Sequence, residues 1–172
     1  MNAQRRFILS QGFAEPAPES CNLHFAALQF QPRAIGIIVL GGMLLQSVAR
    51  LPSIALFVIL GIVLCWSALM PDANPFEAAY NFTSPRYRLT RAPAPRRFAQ
   101  GLAGGMALAI AAFLYLHRMP AAIVVELLLL AAVAGILFAK FCFGSWLYHN
   151  IFAASLRSQR NQGIDDGRAS GR

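Results

Sequence analysis

Four apolar runs, each bounded by Arg, Pro or polar clusters, constrain this chain more than any other feature. They are Ala34–Ala49 (16 residues), Leu51–Met70 (20), Phe98–His117 (20) and Ala121–Ala139 (19). As helices, runs of 16 and 20 residues reach about 24 and 30 Å, and the hydrocarbon core of a bilayer is about 30 Å thick. The first run is short by itself, so upstream residues such as Phe30 or local bilayer thinning must make up the difference. Charged residues form 13% of the chain, hydrophobic residues 57%, and the mean hydropathy is +0.52; soluble domains carry about 25% charged residues. A water-soluble globule is excluded, and an all-α membrane protein with four transmembrane helices is expected.

The connectors differ in kind. Arg50 separates the first two runs and Arg118 with Met119 the last two, and Pro52 and Pro120 follow where the first turn of a helix tolerates proline. Two tight helical hairpins result. Between them the Met70–Arg97 stretch carries Pro71, Pro75, Pro85, Pro93 and Pro95 and cannot be one continuous helix. It reads as an ordered polar loop. The hairpins resemble each other weakly, with Gly-Gly-Met at Gly41–Met43 and again at Gly104–Met106. Duplication and convergence on hairpin chemistry both account for this.

Charge sets the expected orientation. Arg5, Arg6 and Arg33 precede the first hairpin; Arg86, Arg88, Arg91, Arg96 and Arg97 lie in the central loop; Lys140, Arg157, Arg160, Arg168 and Arg172 follow the fourth run. Of the 15 Lys and Arg only Arg50 and Arg118 fall at the opposite hairpin tips. The positive-inside rule therefore places both termini and the central loop in the cytoplasm. The net charge of +8 suits an anionic lipid surface better than nucleic acid, because the basic residues sit at the ends of apolar runs. Arg5 and Arg6 superficially echo a twin-arginine signal, but no apolar segment follows, so an uncleaved polar tail is expected. The Asn81-Phe82-Thr83 sequon is discounted for a cytoplasmic loop.

Few residues offer chemistry. Glu126 is the one acid inside an apolar run, a functional candidate because burying a charge in a bilayer is costly, although it lies near enough to Pro120 to reach the outer interface, His117 or Arg118. Gln46, Ser47 and Ser67 read as interhelical hydrogen-bonding groups. Gly101, Gly105 and Ala109 recur every fourth residue, a stripe suited to close helix packing or to a dimer face. Cys21, Cys65 and Cys142 lack CxxC or zinc-ligand spacing, so neither a disulfide framework nor a metal site is expected. If helix continues past Lys140, Cys142, Ser145 and His149 share one face, with Trp146 and Tyr148 at headgroup depth. That face is a candidate reactive-thiol site; no acid is placed to orient His149, and packing with an aromatic belt is the simpler reading. No motif points to a cofactor.

Gln31–Arg33 (QPR), Trp66–Asn81 (WSALMPDANPFEAAYN), Ala94–Gln100 (APRRFAQ) and Phe141–His149 (FCFGSWLYH) together resemble a bacterial domain-of-unknown-function family, number 4395, over roughly Leu23–Phe152. The Pro-Arg-Arg-Phe-Ala-Gln and Phe-Cys-x-Gly motifs are the specific part. The resemblance implies a bacterial inner-membrane protein of about four spans. It also suggests sulfur or thiol chemistry, since relatives often carry Cys-x-Gly-Cys, but here Ser145 stands at the second cysteine position.

The expected organisation is an N-terminal cytoplasmic segment (1–30), a four-helix membrane domain (31–155) with spans near 34–49, 51–70, 98–117 and 121–145, and a flexible cytoplasmic tail (156–172). The hairpins are joined by a cytoplasmic loop rich in Pro and Arg. The expected role is that of an accessory or interaction component, with Arg86, Arg88, Arg91, Arg96 and Arg97 contacting anionic lipid headgroups or a protein partner, and a homo-oligomer is compatible. Two rivals stand beside it: a thiol-redox or sulfur-handling protein using Cys142 with Cys65, and a small oligomeric permease.

Overall fold

A computed structural model describes residues 3–15, 17, 19–83 and 91–152. All regular structure among them is helical: α1 (Ala3–Ser10), α2 (Cys21–Val48), α3 (Arg50–Leu69), a single 3-10 turn (Pro71–Ala73), α4 (Pro75–Thr83), α5 (Ala94–Tyr115), α6 (Met119–Leu137) and α7 (143–152). Helices α2, α3, α5 and α6 are each long and apolar enough to cross a membrane. They form the two expected hairpins, α2–α3 and α5–α6. The tail 156–172, together with Arg86 and Arg88, lies outside the described residues.

Local chemistry explains the hairpin tips. Ala49 alone is non-helical between α2 and α3 (φ −146°, ψ 102°), and Pro52 follows in the first turn of α3. Helix α5 closes with a left-handed residue, His117 (φ 57°). The Arg118 amide reaches back to the Phe113 carbonyl (2.8 Å) and the His117 amide to that of Leu114 (3.2 Å). This double closure satisfies carbonyls that would otherwise be orphaned in an apolar setting. Arg50 then hydrogen-bonds the His117 ring, joining the two tips.

The bundle is held mainly by α3 against α5. Phe57, Leu60 and Leu64 from α3 interleave with Ala107, Ile110 and Leu114 from α5, and Val39, Leu129 and Val133 close the core from α2 and α6. Ile37, Leu44, Val48, Ile59, Ile62, Leu127 and Leu128 are exposed; in a bilayer these face lipid. Lipid chains are as apolar as the core, so association rests on close packing and hydrogen bonds rather than on expelling water. Ser53 supplies one such bond, donating to the Gly42 carbonyl (3.0 Å) where both are buried.

Several expectations are corrected. The small-residue contact is not the Gly101–Gly105–Ala109 stripe. Gly105 faces open space, and Gly101 touches only the Ala68 methyl at van der Waals distance (3.6 Å). The close approach is made by Gly104, where an added Cβ would lie 3.0 Å from the Cys65 amide nitrogen and 3.1 Å from the Gly61 carbonyl oxygen. The buried face of α5 runs through Gly104, Ala107 and Ala111, one position from the expected register. The two Gly-Gly-Met stretches are likewise used differently: in α2 the second glycine, Gly42, receives the Phe57 ring, whereas in α5 the first, Gly104, meets α3.

The N-terminal segment is not simply a polar tail. Helix α1 buries Phe7 and Ile8, and Phe13 joins them against Phe25, Leu28 and Cys142. Helix α2 starts at Cys21, ahead of the expected boundary at residue 30, and runs through Pro32 for 28 residues, about 42 Å. That length removes the shortfall of the first apolar run.

The fourth span does not reach residue 145. Helix α6 ends at Leu137, Lys140 adopts a left-handed conformation (φ 52°), and the Phe141 amide returns to the Gly135 carbonyl (3.0 Å). The chain then restarts as α7. In the central segment, Asn74 caps α4: its Oδ1 accepts from the Phe76 amide (3.0 Å) and the Ser67 hydroxyl (3.1 Å), and its amide donates to Glu77 (3.2 Å). Asparagine ahead of proline with glutamate three residues on is a helix-start signal, so part of the expected loop is helical.

Candidate functional site

The end of the bundle that carries both described chain ends holds a buried polar cluster. Arg96 occupies the first turn of α5, after Pro93 and Pro95, and is only 6% exposed. Its Nη1 donates to Gln11 Oε1 (2.9 Å) and its Nη2 to Gln31 Oε1 (3.2 Å). Gln100, one turn further along α5, donates from Nε2 to the same Gln31 oxygen (2.9 Å). The Phe13 ring lies under the guanidinium, 5.8 Å from Cζ. Gly12 makes this possible: its positive φ (87°) turns the chain between α1 and α2, and a Cβ there would press on Pro93 and Pro95.

Charge in this cluster is incompletely matched. Among the described residues no carboxylate forms an ion pair with Arg96, and Arg96 Nε and Gln100 Oε1 have no hydrogen-bond partner. A buried guanidinium held by neutral amides is an expensive arrangement, because it forfeits hydration without gaining a counter-ion. Glu77 acts on it only from a distance; burial pushes the Glu77 carboxyl above its ordinary value, with the field of Arg96 and the Asn74 hydrogen bond opposing that rise.

Beside this cluster opens a cavity of about 560 Å³, within the roughly 300–1,000 Å³ typical of small-molecule sites. Gln11, Gln31, Arg96 and Gln100 line it together with Cys142, and the rest of its wall is apolar, including Ile35, Ala103, Met106, Leu129, Val133 and Ile136. Leu128, Phe141 and Phe143 also line it while remaining exposed, so the cavity has a lateral mouth. Stretches far apart in sequence meet here: Gln31, Arg96 to Gln100, and Phe141 to Gly144. A Cβ on Gly144 would collide with Ala99 (2.6 Å from its Cβ), so glycine is what lets the start of α7 seat against α5.

Cys142, Ser145 and His149 gather at this end, but not as a reactive triad. Cys142 sits at the start of α7, its carbonyl accepting from the Trp146 amide (3.0 Å). Burial pushes its thiol above the ordinary value, and the backbone amides of Ser145 and Gly144 and the charge of Arg96 only partly offset that. The Ser145 hydroxyl donates to the Ser10 carbonyl, and His149 Nε2 lies 3.3 Å from the same oxygen. Both side chains therefore fasten α7 to the C-terminus of α1. Cys65 packs against Gly104 in the α3–α5 contact, and all three cysteines are free thiols.

The other sequence-predicted residues are dispersed. Glu126 is fully buried (0% exposed) and accepts from Gln46 Nε2 (3.1 Å), tying α6 to α2; it does not turn outward to His117 or Arg118. Arg96 is buried, so it cannot serve as the exposed headgroup contact expected of it. Arg97 is half-buried with Nε on the Ala68 carbonyl (2.7 Å), and Arg91 is exposed, 3.5 Å from Asp72. Gln11 has no place in the sequence analysis, and Gln31 and Gln100 enter it only as members of the Gln31–Arg33 and Ala94–Gln100 stretches, with no polar role expected of them. For Gln100 a further signal is placement, since Arg96 and Gln100 share a helical face. Among the described residues no cluster of His, Cys, Asp and Glu could hold a metal ion.

Fold and site together define a multi-pass helical membrane protein with an apolar cavity capped by a buried arginine. The chain belongs to the family described as a domain of unknown function (DUF4395), which it matches over residues 27–152. That range takes in α3, α5, α6 and α2 from residue 27 onward, with Arg96, Gln100 and Cys142, and leaves α1 and Gln11 outside. Comparisons with curated proteins and with solved structures gave no match.

Proposed function

We propose that the protein is a bacterial inner-membrane accessory component that holds an amphiphilic ligand in the cavity beside Arg96, with both termini in the cytoplasm. The observation that carries this reading is the union of an apolar cavity with a buried, incompletely paired arginine at one end. A polar head and an apolar chain would each find their match there. Binding rather than catalysis is favoured because Ser145 and His149 are committed to the Ser10 carbonyl. Purification in mild detergent, followed by mass spectrometry of co-purifying lipids and proteins, tests it. An amphiphile retained by the wild type and lost on filling the cavity with Ala103→Phe supports the proposal; a ligand-free protein counts against it.

A second reading draws on Cys142, which lines the same cavity near Arg96. In it the protein handles thiols or sulfur. The raised thiol value and the absence of a second cysteine in the motif weigh against it. A mixed disulfide on Cys142 trapped in cells would favour it.

A further inference from the structure

Resting on the reading of the cavity as a ligand site, we infer that its occupant is a single-chain acidic lipid, a long-chain fatty acid bound as its carboxylate. The head lies beside Arg96 and Gln100, and the chain runs along Ala103, Met106, Leu129 and Val133.

Charge selects the head. Arg96 lines the cavity, is 6% exposed, has its two terminal nitrogens held by neutral glutamine oxygens, and forms no ion pair with a carboxylate among the described residues. What the cluster lacks is one negative charge, and a carboxylate held in the cavity supplies it. A neutral alcohol or quinone leaves the charge uncompensated, and a zwitterionic head brings a second cation to it. A phosphate monoester carries about two negative charges at neutral pH, more than the single positive charge of Arg96 would balance.

Shape selects the tail. The cavity holds about 560 Å³ between α5 and α6, room for one chain; a diacyl lipid would have to leave its second chain outside. The exposed lining residues Leu128, Phe141 and Phe143 give an entrance from the side, where acyl chains already are. The site thus differs from a headgroup contact on the exposed arginines, which would need no cavity.

The test uses the full-length protein in phosphatidylcholine nanodiscs, titrated with radiolabelled palmitate against empty nanodiscs. Saturable binding of about one palmitate per protein is expected, weakened at least about tenfold by Arg96→Gln and by Ala103→Phe. Leu127→Phe, on the exposed face outside the cavity, should leave it unchanged. Competitors decide the class: unlabelled palmitate should displace the probe, whereas hexadecanol and dipalmitoyl phosphatidylglycerol should not. Equal displacement by hexadecanol overturns the acidic head but leaves the amphiphile reading standing. Equal displacement by phosphatidylglycerol overturns the single chain in favour of an ordinary bilayer lipid. If neither palmitate nor labelled hexadecanol binds saturably, both this inference and the reading beneath it fall.

Discussion

Gly61 on α3 and Gly104 on α5 meet backbone to backbone: a Cβ on either would stand 3.1 Å from the carbonyl oxygen of the other. The approach brings Leu60 and Leu64 into one core with Ala107 and Ile110, and in a bilayer such packing is a principal source of helix association. Gly104→Leu must part the two helices, because behind the Cys65 sulfur the obstacles include backbone, the Cys65 amide and the Gly61 carbonyl. A loss of about 1–3 kcal/mol or more is expected. Gly105→Leu, next in sequence but facing open space, should change stability by less than about 0.5 kcal/mol. Thermal unfolding in detergent compares the two directly, and equal losses would contradict this register.

Helix α1 should loosen when its clasp is removed. The Ser10 carbonyl is held by the Ser145 hydroxyl and approached by His149, and both attach the N-terminal helix to α7. Ser145→Ala removes one bond, worth about 0.5–1.5 kcal/mol. Hydrogen exchange of α1 amides should accelerate roughly tenfold while exchange in α3 and α5 stays unchanged. Uniform acceleration would mean that the serine supports the whole fold instead.

The Cys142 thiol should behave as a weak acid. Burial raises it above the ordinary value, and the amides of α7 and Arg96 offset only part of that rise. Alkylation by a membrane-permeant reagent at neutral pH should therefore be slower than for the same residue in a short peptide. The rate should rise about tenfold per pH unit through the alkaline range. A folded value raised above the unfolded one, about 8.5, gives a stabilising contribution that is complete below pH 8.5 or so. That contribution fades as pH climbs through the folded value. Alkaline solutions should thus favour unfolding more in the wild type than in Cys142→Ala. Fast labelling at neutral pH would reverse the sign of the argument and favour the thiol reading.

Sequence made the spans and hairpins legible because bilayer thickness, Arg–Pro punctuation and loop charge are local, one-dimensional signals. It failed where a choice depends on a neighbour. Gly101, Gly104 and Gly105 offer two overlapping small-residue registers on α5, and only the position of α3 selects Gly104. Gln29, Gln31 and Arg33 resemble a polar flank, so α2 looked short. In the fold Gln31 is buried because Arg96, 65 residues away in sequence, reaches it. The break after α6 carried no proline, and its glycine, Gly135, lies inside the helix; it is set by Lys140 turning left-handed over the Gly135 carbonyl. The cavity itself was invisible, being the space left where α2, α5, α6 and α7 meet.

Nearer the hairpin tips the buried Glu126 pairs with the half-buried Gln46. Glu126 Oε2 accepts from Gln46, while Glu126 Oε1 and Gln46 Oε1 lack partners. Glu126→Gln keeps the shape and a hydrogen-bonding group, so a change below about 1 kcal/mol is expected. Gln46→Leu strands a buried carboxyl and should cost about 0.6–1.7 kcal/mol, the range seen for hydrogen bonds inside membrane bundles. Unfolding in detergent reads both, and a larger loss in Glu126→Gln than in Gln46→Leu would show that the carboxyl has a partner other than Gln46.

Orientation can be tested at the hairpin tips. Arg50 and His117 are hydrogen-bonded, so the α2–α3 and α5–α6 turns lie at one end of the bundle, opposite Arg96 and the α1–α7 contact. Of the 15 Lys and Arg, only Arg50 and Arg118 belong to those turns, and moving basic clusters across a membrane against its potential is unfavourable. Alkaline phosphatase fused after Arg50 or Arg118 should therefore be active outside the cytoplasm. Green fluorescent protein fused after Arg91 or at the C-terminus should fluoresce inside. An active phosphatase after Arg91 would invert the bundle and put the mouth of the Arg96 cavity in the opposite leaflet.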